Sequence, residues 1–392
     1  MYDFKTLVSR KNTGSNKWDG MYAINPGTPE GIIPFSVADM EFKNPPEIAG
    51  GLAAYFSDCI MGYTSATESY YDAVIGWMQR RHQWEIKKEW IVEYPGVVPA
   101  LFHLVRLLTQ PDEGVIIMTP VYYPFYTAIN NGKRKIVESK LQLKGNRYEI
   151  DFEDFESKAK DSKNTLFILC SPHNPAGRVW SRQELEKIGR ICIDNNIMII
   201  SDEIHFDLVY KGHKHTVFAG ISEEFADHCI TCTAPSKTFN TAGLMTSNLI
   251  ISNSELRQKV YEYRQGEAVF FCNIAGYKAC EIAYDECESW LDELLLVLEA
   301  NRNLVNEFVK KNIPQIKVIS LEGTYLQWLD CRDLGMDHLH LEKFMQEKAM
   351  LFLDEGYIFG DSGQGFERIN IACPTSVLQS ALDRLLVAIN NQ

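Results

Sequence analysis

No apolar run in this 392-residue chain reaches the roughly 18–20 residues that a membrane-spanning helix needs. The opening stretch, MYDFKTLVSRKNTGSNKWDG, lacks the apolar core of a secretory signal. Positive charge is also scarce: 39 Lys and Arg stand against 52 Asp and Glu, for a net charge of −13. Broad nucleic-acid binding relies on a positive footprint, so this balance counts against it. The ten cysteines are too thinly spread for a disulfide scaffold, and a cytoplasmic protein with reduced thiols is the simplest expectation. Zinc-type spacing is missing too. His213/His215 and His338/His340 have no Cys or carboxylate set nearby, so they read as loop or surface histidines and no metal is expected. The one CxxC, Cys229 and Cys232 in HCITCTA, falls in a strand-like segment. Residues three apart on a strand point to opposite faces, which favours two buried cysteines over a redox pair.

What is present is an ordinary globular composition, 45% hydrophobic, in a chain long enough for two domains or one large and one small. Residues 1–47 read as irregular, with IIPFSVADMEF their one apolar stretch. Tyr70, Val74, Trp77 and Met78 recur at helical spacing within 66–83. Strands and helices then alternate: the helix PGVVPALFHLVRLLTQ, the strands GVIIMTP and TLFILCSPHNP, the helix SRQELEKIGRICIDNN, and the strands IMIISDEIHF and HCITCTAPSKTF. This βαβ rhythm implies an α/β fold, with a parallel or mixed sheet covered by helices on both faces. From 255 to about 311 the pattern is helical. Strand-like IKVISL, TYLQWLD and FERINIAC, with helices at 341–353 and 376–390, then suggest a smaller α+β domain. The N-terminal segment is expected to pack on that domain or on another subunit. The resulting division is a large domain over 48–286 and a small one from 1–47 and 287–392.

Ligands of open α/β sheets bind beyond the carboxyl ends of the strands. Four polar residues stand just past such ends: Tyr122, Asn174, Asp202 and Lys237. Each has an ordinary reading by itself, as a packed aromatic, a turn residue, a helix cap or a surface lysine. Together they have a chemical meaning. A lysine can form a Schiff base with an aldehyde cofactor, and an acid can keep a pyridinium nitrogen protonated, the arrangement that pyridoxal phosphate (PLP) uses. A phosphate seat is available where Gly96 opens a helix with Pro99 in its first turn. There the N–H groups of Gly96, Val97 and Val98 would face an anion.

The segments NPAG (174–177), SDEIH (201–205), SKTFNTAGL (236–244) and FERINIACP (366–374) resemble fold-type I PLP enzymes of the aminotransferase superfamily. SVADMEF (36–42), GYT (62–64), TPVYYPFY (119–126) and EGTYLQWLD (322–330) narrow the resemblance to the MalY/PatB branch of cystathionine β-lyases, or C–S lyases. It implies a large domain built on a mostly parallel seven-stranded sheet between helices, plus a smaller α+β domain. It also implies roles. Lys237 carries the cofactor and later acts as base, Asp202 pairs with the pyridine N–H, and Asn174 bonds the ring oxygen with His205 near the same edge. Tyr122 stacks on the ring. Gly96, Val97, Val98 and Ser236 cradle the phosphate, and Arg368 clamps the substrate α-carboxylate, with Asn174 beside it. Tyr63 matches a tyrosine that reaches the neighbouring subunit's phosphate, which implies a homodimer. One departure stands out. Many aminotransferases carry an arginine eight residues beyond the lysine, where this chain has Met245. Site composition alone leaves three functions open: a C–S lyase, an aminotransferase, and a PLP-binding regulatory protein.

Overall fold

The computed structural model describes residues 1–392. The first strands are β1 (Ile91–Tyr94), β2 (Gly114–Thr119) and β3 (Lys135–Lys140), followed by a separate hairpin of β4 (Gln142–Lys144) and β5 (Arg147–Glu149). Next come β6 (Asn164–Cys170), β7 (Met198–Asp202), β8 (Cys229–Thr233) and β9 (Ser247–Ile250). Without the hairpin these make one seven-stranded sheet, in the order β1-β9-β8-β7-β6-β2-β3. β3, β2, β6, β7 and β8 run parallel, while β9 is antiparallel to both β8 and β1.

Alternate residues of these strands feed two separate cores. Ile116, Met118, Phe167, Leu169 and Cys229 join one; Val115, Ile117, Leu166, Ile168 and Cys232 join the other. That period-2 split explains the nearly continuous Val/Ile runs, because both faces of the sheet are covered by helices. Cys229 and Cys232 accordingly sit on opposite faces as free thiols.

The helices start where their sequences provide caps. Ser181 and Glu184 form a reciprocal capping box at the head of Arg182–Asp194. Thr67 caps Glu68–His82, whose last turn holds Arg80, Arg81 and His82, cations suited to a helix C-terminus.

A second, antiparallel sheet joins β10 (Lys317–Val318), β11 (Leu326–Asp330), β12 (Asp354–Glu355) and β13 (Phe366–Asn370), in the order β10-β11-β13-β12. Two expectations about this region need correction. The helix read over 341–353 is His338–Glu347, because Met350 adopts a left-handed φ of 52° and the buried Leu351–Leu353 run leads into β12. The N-terminal 47 residues are not wholly irregular either. Ser15 caps a helix, Asn16–Ile24, that buries Trp18 and Met21. This segment does pack on the small sheet: Phe35 N–H donates to Phe352 O and Asn370 N–H to Phe35 O, both at 2.8 Å. It thereby carries residues 36–39 to the edge of the large sheet. No helix is long and apolar enough to cross a membrane.

Candidate active site

The carboxyl ends of β6, β7 and β8 open into a cleft. Gly96, Val97, Val98, Tyr122, Asn174, Asp202, His205, Ser236 and Lys237 all line it. The chain thus brings together residues from Gly96 to Lys237 because parallel strands deliver their following loops to one edge.

Lys237 sits on a single helical turn, Pro235–Thr238, just past β8. Its Nζ donates to the carbonyl of Ala38 at 2.7 Å. The side chain keeps some surface open to the cleft, yet desolvation by the surrounding walls lowers its pKa to about 8. Asp39 raises that pKa by its charge, but less than burial lowers it. The turn is held from below: Thr238 Oγ1 donates to Asp207 at 2.6 Å, and Asp207 also takes Trp77 Nε1 and lies 2.8 Å from His82 Nε2.

Asp202 ends β7 and is buried. Burial raises its pKa to about 7, against the opposing pull of the Ile204 N–H at 3.2 Å and of Lys237. His205, one turn on, is buried with Nδ1 unpartnered, and burial holds its pKa well below the usual histidine range.

Gly96 caps the helix Val97–Leu108 at φ 104°, a left-handed value that glycine tolerates best. Its own N–H, expected to be free, instead donates to Tyr94 O at 2.7 Å, because the chain doubles back tightly after β1. The anion-facing donors of this helix start are therefore Val97 and Val98, as Pro99 has none. Met245 also lines the cleft, its Cε about one methyl contact from Gly96.

Arg368 lies in the middle of β13 and is 2% exposed. It reaches the cleft through Asn174: Nη1 donates to Asn174 Oδ1 at 2.8 Å. Asp354, its cross-strand neighbour on β12, accepts from Nε at 3.2 Å and from Nη2. The Phe359 ring lies 4.7 Å from the guanidinium carbon.

Arg368 meets the cleft only through Asn174 and does not line it, and Tyr63 lies outside altogether, at 99% exposure. Ile60 and Met61 beside it are exposed as well, and its ring lies 6.2 Å from that of Phe271. The expectation of two surface histidines at 213 and 215 fails for His215, which is buried with Nε2 2.7 Å from Glu203. The loop after β7 folds back over Glu203, so the histidine answers a buried carboxylate. Sequence reasoning also missed Ala38, Asp354 and Tyr325, whose hydroxyl donates to Ala38 O at 3.0 Å. Strand-end logic could not find them, because none follows a strand of the large sheet.

The chain is similar over its whole length to proteins of known type. Cystathionine β-lyase PatB of Bacillus subtilis is 40% identical over 388 residues, covering 99% of this chain and all of that one. Cystalysin of Treponema denticola, whose crystal structure contains a pyridoxal 5′-phosphate cofactor, superposes with a TM-score of 0.98 at 52% identity, covering 100% of this chain and 99% of that one. The PLP-bound C–S lyase of Staphylococcus hominis, in its external aldimine form with L-cycloserine, gives 0.92 at 32% identity over all of both chains. The model of aminotransferase class I and II matches residues 58–385. With the strand-end cleft and these likenesses together, the chain belongs to the class I and II aminotransferase family.

Proposed function

We propose that this protein is a PLP-dependent carbon–sulfur β-lyase that cleaves L-cystathionine or a related cysteine conjugate to a thiol, pyruvate and ammonia. Full-length likeness to cystathionine β-lyases, joined to a cleft lined by Lys237, Asp202 and Asn174, the last bonded to the buried Arg368, carries this reading. When bound, the cofactor supplies an aldehyde for a lysine amine and an electron-poor ring that stabilises negative charge on the neighbouring substrate carbon.

The cleft fits that group. Lys237 offers an amine, Asp202 an acid for the ring nitrogen, and Asn174, with His205 on the same wall, a polar edge for the ring oxygen. Tyr122 provides an aromatic wall. Val97, Val98 and Ser236 make a phosphate seat, with Gly96 as its turn and no arginine at position 245.

The chain's own residues then divide the work. A pKa of about 8 leaves Lys237 a useful neutral fraction near pH 7, so it can take the substrate Cα proton and hold it. Arg368 binds the α-carboxylate as a bidentate pair and so fixes which substituent of Cα faces the lysine. The cleft's buried walls keep water from competing for that proton. The thiolate leaves from Cβ with its bonding pair and takes up a proton to become the thiol, and water hydrolyses the remaining three-carbon imine to pyruvate and ammonia.

We also propose a homodimer in which Tyr63 of the partner subunit completes the phosphate seat. The exposed patch of Ile60, Met61, Tyr63, Phe270 and Phe271 supports an interface there. We also propose the division into domains at 48–286 and at 1–47 with 287–392, which the separate placement of the two sheets supports, and a cytoplasmic location, which the free thiols support.

The deciding experiment supplies cystathionine and PLP without any keto acid. Release of pyruvate and thiol is expected. Turnover that begins only when a keto-acid acceptor is added would transfer the reading to transamination.

A further inference from the structure

Arg368 carries five N–H donors, and three are already engaged within the protein. Nε and Nη2 each give one to Asp354 Oδ2, and Nη1 gives one to Asn174 Oδ1. One N–H on each terminal nitrogen is left for another acceptor. The same Asp354 oxygen takes a third donor, the backbone N–H of Val37 at 2.9 Å.

Val37 belongs to the strap that runs over the cleft. Its φ of 55° is rare for a β-branched residue, and it persists because the backbone is tied on both sides. Asn370 Nδ2 donates to the carbonyls of Val37, at 2.8 Å, and Asp39, at 2.7 Å. Between them, the Ala38 carbonyl accepts from Lys237 and from Tyr325.

We propose that Asp354 is a positioning residue for substrate recognition. Through one oxygen it holds the guanidinium from the Nε side, leaving one N–H on each terminal nitrogen for a carboxylate, and ties the 37–39 strap beside it. The ligand so selected is an α-amino acid with a free carboxylate, as against the same amine without one. This rests on the assignment of Arg368 to the α-carboxylate.

Binding, not turnover, gives the test. The PLP-loaded protein is titrated with L-alanine and with ethylamine, which differ by the carboxylate, and the change in cofactor absorbance is followed. Asp354→Asn keeps the shape of the side chain and removes its charge; Asp354→Ala removes the contact. Both are expected to weaken alanine roughly 10- to 100-fold, the scale of a misplaced recognition group, and to leave ethylamine within about 3-fold. Cofactor content should stay unchanged. Equal weakening of both amines, or unchanged alanine affinity in the Asn variant, would overturn the proposal. Because alanine has no leaving group, the outcome does not depend on whether the protein is a lyase. An Arg368→Ala variant that keeps its preference for alanine over ethylamine would instead show that the carboxylate assignment itself is at fault.

Discussion

The two sheets serve the cleft in opposite ways. The large sheet delivers the partly buried Lys237 and the buried Asp202 at strand ends, with no fixed ion pair and with pKa values drawn towards neutrality at about 8 and about 7. The small sheet delivers Arg368 from mid-strand, paired across the ladder with Asp354 and stacked on Phe359. A group that must exchange a proton gains from desolvation, because its two protonation states are then closer in free energy. A group that must stay charged and point one way gains from a partner that holds it. The difference between the sheets is thus one between poise and rigidity.

The strongest way to break that comparison is at the lysine. Lys237→Ala removes the proposed attachment point and base together, and turnover of cystathionine should fall by at least roughly 1,000-fold. The cofactor absorbance near ~420 nm should vanish with it. Retention of that band with turnover intact would mean another amine serves. Asp202→Ala is expected to follow, with a loss of roughly 100- to 1,000-fold in kcat, because the ring then lacks the charge that keeps it electron-poor. A near-normal kcat would refute the role given to this carboxylate.

Arg368→Ala probes the other sheet. KM for cystathionine should rise about 100-fold while bound PLP stays at wild-type levels. The variant should also be less stable by about 3–5 kcal/mol in urea melts, since Asp354 is left buried without its cation. Loss of cofactor in place of a KM effect would move Arg368 out of the substrate site.

Much of this was legible in the chain because parallel β/α folds write their sites at strand ends. Tyr122, Asn174, Asp202 and Lys237 follow apolar runs whose lengths and termini can be read directly, and the fold gathers them as that rule requires. Asp354 could not be read so. It sits in a two-residue strand after an apolar run that looks helical, and its importance comes only from the antiparallel register that sets it opposite Arg368. The Ala38 carbonyl was equally hidden, being backbone in a segment with no periodicity. Gly96 was placed correctly but its N–H was not free, because a hydrogen bond to a residue two positions back has no sequence marker. His215 was misjudged for a related reason: its partner Glu203 lies twelve residues earlier, beyond any local pattern. What local periodicity encodes was recoverable, and what cross-strand pairing decides was not.

The finest test of poise is one of stability, made on protein prepared without cofactor. An acid whose pKa is raised in the fold, as that of Asp202 is from 3.8 to about 7, binds its proton more tightly there than in the unfolded chain. Its favourable contribution is complete below the unfolded value and is lost as pH climbs through about 7. By pH 8 the wild-type chain must either bury a carboxylate or hold a proton against the solvent. Asp202→Asn meets neither demand, and its amide oxygen can still accept the Ile204 N–H. The variant should therefore be more stable than wild type at pH 8, by on the order of 2–4 kcal/mol, and almost equal to it at pH 4. Lys237 titrates in the other sense, with stability lost as pH falls through about 8, but it is present in both proteins and largely cancels from the difference. Urea melts at the two pH values measure the effect directly. A gain independent of pH would mean that the substitution acts through packing, and that the carboxyl group is not strained by its burial at all.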